Sequence, residues 1–309
     1  MAYSAASAAG ALPRVSLVTP CYNGMPWLQA AIDSVLAQDY PAIEYLVMDG
    51  GSSDGTVELL REYGDRLRWV SAPDDGQADA IARGFEQTDG AILGWLNADD
   101  VLKPGAVRAA VAALQAHPEA GLVYGHADFI DAAGRVIGPC TVVEPFSRQR
   151  LLHFGDYIIQ PATFFTRAAY QTAGGLDRSL HWAMDWDLWL RLARDGEVIY
   201  LDMELASYRW LGSNKTAAGG FERLKEVENV ARRYGCSGLP AYFRLERARL
   251  LVARAGEDLK RGHFVPMLKN LVRCLTVIFT SRRAAGCLLS PQVWRNYRTA
   301  RTLDRHIVE

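Results

Sequence analysis

The sequence predicts an α/β fold with a mostly parallel central sheet, helices on both faces and a helical extension at its C-terminal end. Three observations predict it. Short β-branched runs alternate with helix-period segments from Arg14 to about Gly138, the rhythm of strand–helix units whose strands pair in parallel. Most of these runs end in a turn rich in Gly, Asp or Asn. From about Gly219 onward the pattern is helical. On this reading residues 1–13 are a loose tail, 14–235 the α/β domain and 236–309 a basic helical extension.

Taken in order, Arg14-Val-Ser-Leu-Val-Thr-Pro20 is a strand closed by proline, followed by the turn Cys21-Tyr-Asn-Gly24. Leu28, Ile32, Val35 and Leu36 then recur at helical spacing. Ile43 to Met48 is a second buried strand and ends in Asp49-Gly-Gly-Ser-Ser-Asp-Gly-Thr56. Its glycines let backbone approach a ligand, and Ser53 or Asp54 stands where it can cap a helix from Thr56 to Tyr63. Leu67 to Ser71 is a short third strand, and Asp74-Asp-Gly-Gln77 is a polar turn before a helix carrying Ala80, Ile81 and Phe85. Ile92 to Leu96 is the fourth strand; after it Pro104 opens a helix to about Ala116. Gly121 to Tyr124 is a strand, and Ala127 to Gly138 a hairpin turning at Ala133-Gly134. Beyond it, Phe146 to Phe154 is helical, Thr163 to Thr166 and Val198 to Leu201 are strands, and Gly174-Gly175 breaks the chain. The segment His181 to Arg191 enters a helix with Asp185 in its first turn, where the dipole favours a negative charge. Leu188, Leu192 and Trp189 form that helix's buried stripe.

Composition narrows the class. With half of its 309 residues hydrophobic and 22% charged, the chain builds a substantial core. A net charge of −1 hides an asymmetry, because residues 241–309 carry fourteen Lys/Arg against five Asp/Glu. A basic end on an acidic body points to an anionic neighbour, membrane phospholipid in preference to nucleic acid. Five cysteines without CxxC spacing argue against a disulfide framework or zinc site and fit a reducing cytoplasm. Residues 1–13 lack the basic and apolar regions of a signal peptide, and no run of eighteen apolar residues spans a bilayer. Neither GxGxxG nor GxxxxGK[ST] occurs, so dinucleotide and P-loop binding have no support.

The chemistry concentrates at Asn97-Ala-Asp-Asp100. Carboxylates crowded at the C-terminal end of a buried strand repel one another unless a cation or polar ligand compensates them. That edge is where open α/β sheets bind ligands, and hard oxygen ligands beside a phosphate suit Mg²⁺ or Mn²⁺. An acidic turn after a strand is the plainer reading of Asp99-Asp100 taken alone.

Four motifs together resemble the family 2 glycosyltransferases of the GT-A fold: Thr19-Pro-Cys-Tyr-Asn23, Asp49-Gly-Gly-Ser-Ser-Asp-Gly-Thr56, Asn97-Ala-Asp-Asp100 and Met184-Asp-Trp-Asp-Leu-Trp-Leu-Arg191. The resemblance covers roughly residues 14–235. It implies that Thr19, Tyr22, Asn23 and Asp49 hold the nucleotide of a nucleoside diphosphate sugar, with Gln77, Asn97 and Asp100 also around the donor. Many relatives carry a second carboxylate after the first; here Gly50 stands there, so the base is left open. Asp99 matches the metal-binding member of the DxD motif, implying Mn²⁺ or Mg²⁺, with Asn97 where many relatives have Asp. Asp185 matches the general base of inverting members. Asp187 is its rival, but it lies about 200° around the helix from Asp185 and cannot face the same way. A later metal-binding His of many GT-A enzymes aligns with Leu211. Asp99, phosphates and water then hold the metal alone, or His181 or His126 stands in, or Lys215 lends its charge to the diphosphate.

Around this site Trp182 and Trp186 offer aromatic faces for a sugar, although tryptophan also fills cores. Gln160-Pro161 resembles a family loop near the acceptor. In the basic extension, Phe264, Met267, Leu268, Leu271, Val272, Leu275, Ile278 and Phe279 follow helical spacing beside Lys269, Arg273, Arg282 and Arg283. Such a stripe over residues 263–283 either lies on a membrane surface, at the inner face of the plasma membrane, or packs on the body or a second subunit of a homodimer. The expected activity is metal-dependent inverting transfer of a sugar to a saccharide or lipid-linked acceptor, with no nucleic acid involved. Two rivals stay open: a sugar-nucleotide pyrophosphorylase, against which the turn Cys21 to Pro26 lacks a basic residue, and a non-catalytic nucleotide-sugar binder.

Overall fold

A computed structural model describes residues 12–279 apart from Ser213. The expected tail therefore lies almost wholly outside the described residues, as do Arg282 and Arg283. In chain order the strands are β1 (Val15–Cys21), β2 (Ile43–Asp49), β3 (Arg68–Ser71), β4 (Ile92–Trp95), β5 (Val101–Leu102), β6 (Ala120–Ile130), β7 (Val136–Pro139), β8 (Thr163–Thr166) and β9 (Glu197–Arg209). The helices are α1 (Leu28–Leu36), α2 (Thr56–Glu62), α3 (Gln77–Glu86), α4 (Ala106–Ala116), α5 (Arg148–His153), α6 (Arg167–Thr172), α7 (Met184–Asp195), α8 (Lys215–Ala218), α9 (Gly220–Arg233), α10 (Ala241–Lys260) and α11 (Phe264–Phe279).

Among the described residues the strands form one sheet in the order β3-β2-β1-β4-β8-β6-β9-β5, with β7 paired to β6. The parallel arrangement expected from the βα rhythm holds for β3, β2, β1 and β4. Beyond β4 the sheet is mixed: β6 and β9 run parallel, while β8 is antiparallel to both β4 and β6. The cause is local. The chain reaches β8 at the edge where β4 ends, with Gln160 Nε2 donating to the Trp95 carbonyl at 2.7 Å, so it must run back along β4. A parallel strand would need a crossover connection there.

Side-chain alternation divides the core into two layers. Leu17, Val47 and Ile92 pack on one face with α1 and α4, and Val18, Leu46 and Leu93 on the other with α3, α7 and α9. Each fully buried side chain of this kind contributes about 1.5–3 kcal/mol. Gly84 lets α3 lie close on β1, since a Cβ there would stand 2.6 Å from Val18 Cγ1. The four parallel strands thereby present their C-terminal ends at one edge, with Cys21 beside Asp49 and Asp49 beside Ser71.

Helix α10 begins the expected extension, yet Leu239 and Phe243 belong to the main core, and Phe243 packs on Trp186 with ring centroids 5.9 Å apart. Helix α11 folds back along α10: Asn270 Nδ2 donates to Asp258 Oδ2 at 2.9 Å, and Cys274 packs with Ala248 and Leu251. Its other side leaves Phe264, Val265, Leu268, Val272 and Leu275 exposed. No described helix is long and apolar enough to cross a membrane.

Candidate active site

A cleft of about 860 Å³ opens over the C-terminal ends of β1, β2 and β4 and is closed on its far side by α7 and α8. It gathers residues from every motif singled out in the sequence.

The acidic edge forms one wall. Asn97 Nδ2 donates to Asp100 Oδ2 and to Gln160 Oε1, both at 3.0 Å, and Gln77 Nε2 donates to Asn97 Oδ1 at 2.7 Å. Asp100 is only 1% exposed and accepts from the Arg209 backbone N–H at 3.0 Å, so it braces the turn. Burial, then the neighbouring Asp99 charge, push its carboxyl well above the usual carboxylate range. Asp99 faces the cleft, and burial raises its carboxyl too, against the pull of Arg209 and Asn214. The Arg209 guanidinium donates to the Asp99 carbonyl at 2.8 Å, and Asn214 Nδ2 donates to Asp99 Oδ2 at 3.1 Å. Asn214 in turn accepts from the Leu211 N–H at 2.6 Å, so this loop is tied to Asp99 through an amide.

At the end of the cleft over β1 and β2, Tyr22 and Asn23 line it and Tyr22 is 69% exposed. Asn23 takes φ 52° and is fixed by two bonds, its N–H to Ser52 Oγ at 2.7 Å and the Ser53 N–H to its Oδ1 at 3.0 Å. Two expectations need correction here. Thr19 is fully buried against the Tyr45 hydroxyl at 2.9 Å. Asp49 is 2% exposed and is consumed by its own loop, accepting from the Gly51 N–H at 3.2 Å and Ser71 Oγ at 2.6 Å. Both point into the layer beneath α1, because they share the strand face of Leu17 and Val47. The carboxylate that reaches the cleft is Asp74, read from sequence as part of a turn. A Cβ on residue 50 would lie 2.8 Å from Asp74 Oδ2, so the glycine there makes the room that Asp74 fills.

On the far side Asp185 sits in the first turn of α7, accepting from the Trp186 N–H at 2.8 Å. Its edge reaches the cleft, and burial raises its carboxyl, while Arg223 and Lys215 pull it back down. Lys215 also lines the cleft, donating to Gln77 Oε1 at 3.0 Å; burial lowers its ammonium, against Asp185 and Glu226. Asp156, unnoticed in the sequence, lies behind: burial, then the Asp185 charge, push its carboxyl well above the usual range. Asp187 faces away, paired with Arg191 at 2.6 Å and accepting from the Tyr234 hydroxyl at 2.8 Å.

Of the aromatic candidates, Trp182 lines the cleft. Trp186 does not: it is 2% exposed, its indole N–H donates to the Leu151 carbonyl at 2.9 Å, and it belongs to the core. Gln160 lines the cleft from the sheet side, tied to Asn97 and Trp95. His181 lines the cleft beside Trp182, whereas His126 is held by Tyr200 and Asp202 outside it.

The donor set fits a hard divalent cation that keeps most of its ligands from phosphate and water. Asp99 supplies a half-buried carboxylate with an oxygen not claimed by Asn214, and the burial that raises its carboxyl disfavours the charged form, a cost that a cation would relieve. Among the described residues, the one group of three His, Cys, Asp or Glu side chains close enough to share an ion is the exposed trio His117, Glu119 and Glu197, outside the cleft.

Comparison with known proteins identifies the family and the fold. Residues 16–172 match the family model described as glycosyl transferase family 2. The chain is 32% identical over 233 residues to an uncharacterized glycosyltransferase of Mycobacterium tuberculosis (strain CDC 1551 / Oshkosh), covering 73% of this chain and 87% of that one. It is 28% identical over 229 residues to an uncharacterized glycosyltransferase of Rickettsia prowazekii, covering 71% and 70% of the two chains. Among solved structures, Staphylococcus aureus TarS 1–349 with UDP-GlcNAc aligns with a TM-score of 0.58 at 14% identity over 85% of this chain and 81% of that one. A mannosyltransferase from Pyrobaculum calidifontis with GDP-Man and Mn²⁺ aligns with a TM-score of 0.58 at 19% identity over 96% and 86%.

Proposed function

The chain belongs to glycosyl transferase family 2 and has the GT-A fold, and on that premise we propose a metal-dependent, inverting sugar transfer with Asp185 as general base. The observation that carries the proposal is that one cleft is lined by the Asp99 and Asp185 carboxylates and by the Lys215 ammonium. That set of charges suits a nucleoside diphosphate sugar with a divalent cation, whose nucleoside would lie over Tyr22, Asn23 and Asp74 and whose sugar would point toward Asp185. The bound donors of the structural neighbours, UDP-GlcNAc and GDP-Man, support this donor class and leave the base open.

Transfer follows from these positions. Asp185 takes the proton of the acceptor hydroxyl as that oxygen forms its bond to the sugar C1 and the C1–phosphate bond breaks opposite it. The configuration inverts, giving a β product from an α-linked donor, and no sugar–enzyme bond forms. Lys215, held by Gln77, would lie near the departing diphosphate. A Mn²⁺ or Mg²⁺ held at Asp99 would neutralise charge on the leaving nucleoside diphosphate. Asn97 and Asp100 keep the Asp99 turn in shape, and Gln160 ties that turn to β8.

The acceptor is proposed to be a hydroxyl of a saccharide or lipid-linked sugar. Exposed apolar residues on α11, with Lys269 and Arg273 on the same helix, support docking at an anionic membrane face on the cytoplasmic side. The first test is thermal stability with Mn²⁺ or Mg²⁺ against UDP, GDP, dTDP, CMP and ADP, since a ligand that binds only the folded state raises the melting point. A metal-dependent rise with one nucleoside diphosphate is expected. No rise with any of them would remove the donor site.

A further inference from the structure

One carboxylate outside the cleft is engaged in an unusual way. Glu226, half-buried on α9, accepts from three consecutive backbone N–H groups: Oε2 from His181 at 2.9 Å, and Oε1 from Trp182 at 2.6 Å and Ala183 at 2.8 Å. Successive N–H groups aimed at one point make an anion site, and here a side chain more than forty residues away fills it. These residues lead directly into α7, whose N-cap is Ala183 and has no side-chain cap of its own. Of the three, only Ala183 belongs to the helix start, as its N-cap, so Glu226 ties down the segment that enters α7.

The position of this clamp gives it a consequence for the reaction. Asp185 is the second residue of α7, and Trp182 and His181, both in the clamped segment, line the cleft. One turn earlier on α9, Arg223 is fixed by two bonds to Glu246 at 2.6 and 2.8 Å, and its charge favours the ionised form of Asp185. Gly219, just before α9, leaves no room for a Cβ beside the Trp182 indole, at 2.7 Å. The start of α9 is therefore packed against the very segment that Glu226 holds.

We propose that Glu226 is a positioning residue for sugar transfer, fixing the segment His181–Ala183 and through it the place of Asp185 relative to bound donor and acceptor. This rests on Asp185 being the general base. Displacing a reacting group by about 1 Å can cost on the order of 100-fold in rate without touching substrate binding.

The test uses the full chain with Glu226→Gln, Asp185→Asn and the double variant. Glutamine keeps the size of the side chain but turns an NH₂ toward at least one of the three donors. We expect kcat to fall at least tenfold in Glu226→Gln, with donor KM and the metal-dependent stabilisation by nucleoside diphosphate within twofold of the parent. The double variant should be no slower than Asp185→Asn, because both changes act on one group. Unchanged kcat, a rise in KM alone, or an additional loss in the double variant would overturn the proposal. Near-normal transfer by Asp185→Asn would instead overturn the general-base reading beneath it. Should Glu226→Gln fail to fold, Glu226→Asp keeps the charge but falls one methylene short; an intermediate kcat supports the proposal and a parental kcat overturns it.

Discussion

Asp185→Asn separates chemistry from architecture because the structure predicts opposite signs for the two. The amide is nearly isosteric with the carboxylate, and its oxygen can still accept the Trp186 N–H now held at 2.8 Å. What is lost is the ability to take a proton. A positioned general base contributes roughly 10²–10⁴ in rate, or about 2.7–5.5 kcal/mol of barrier. Stability should move the other way. Burial is the largest influence on Asp185 and raises its carboxyl above the usual value. A carboxyl whose folded pKa lies above its unfolded one destabilises the fold where it is ionised in both states, and that cost fades as pH falls through the folded pKa. Neutral asparagine removes the cost, so the melting point at pH 7 should hold or rise. Steady-state release of nucleoside diphosphate with acceptor present gives kcat, and a thermal scan gives the melting point. A kcat within threefold of the parent would refute Asp185 as base; a falling melting point would refute the electrostatic account.

The other expectations follow from neighbouring contacts. Lys215→Met removes a cation that lowers the Asp185 carboxyl, so the acid limb of kcat/KM should move to higher pH; an unmoved limb contradicts the coupling. Asp99→Ala should abolish the metal-dependent stabilisation by nucleoside diphosphate while leaving the apo melting point close to the parent's. Trp186→Phe leaves the Leu151 carbonyl without its donor and should cost about 1–3 kcal/mol in denaturant unfolding, with acceptor KM unchanged; a selective rise in acceptor KM would return Trp186 to the sugar site. Leu268→Glu with Leu275→Glu should abolish co-sedimentation with vesicles of anionic phospholipid but spare transfer to a soluble saccharide; a parent chain that does not sediment removes the membrane reading.

The residues the sequence exposed are those whose chemistry is local. Asp99 and Asp185 each follow a recognisable pattern, a carboxylate at a strand end and one in a helix's first turn, and both reach the cleft. The misplacements came from direction, and the periodicities that set direction were already present. Thr19 and Asp49 lie an even number of residues from Leu17 and Val47, so alternation sends all four to one layer. The rotation that turns Asp187 away from Asp185 also carries Trp186 about 100° around α7, into the core beside Phe243. Asp74, Asn214 and Glu226 had no such local signal. Their roles are made by contacts between distant segments, such as Asn214 reaching Asp99 across 115 positions. Gly50 was the nearest thing to a clue, since its missing side chain leaves a space that some other group must fill.

The second half of the chain therefore does more than extend the parallel half of the sheet. Nearly everything that lines the first side of the cleft comes from the ends of parallel strands, where the polar groups are held by neighbouring loops, as Asn23 is by Ser52 and Ser53. The opposing side is built from α7, α8 and α9, and its order depends on long-range charge: Arg209 on the Asp99 turn, Lys215 on Gln77, Glu226 on the entry to α7. Burial raises the Asp99 and Asp185 carboxyls and lowers the Lys215 ammonium. Burial thus disfavours the charged form of all three groups, a cost relieved when opposite charges arrive together. A donor diphosphate accompanied by a divalent cation brings one partner for each kind of group, so metal and donor should each bind more tightly in the presence of the other, by the same factor.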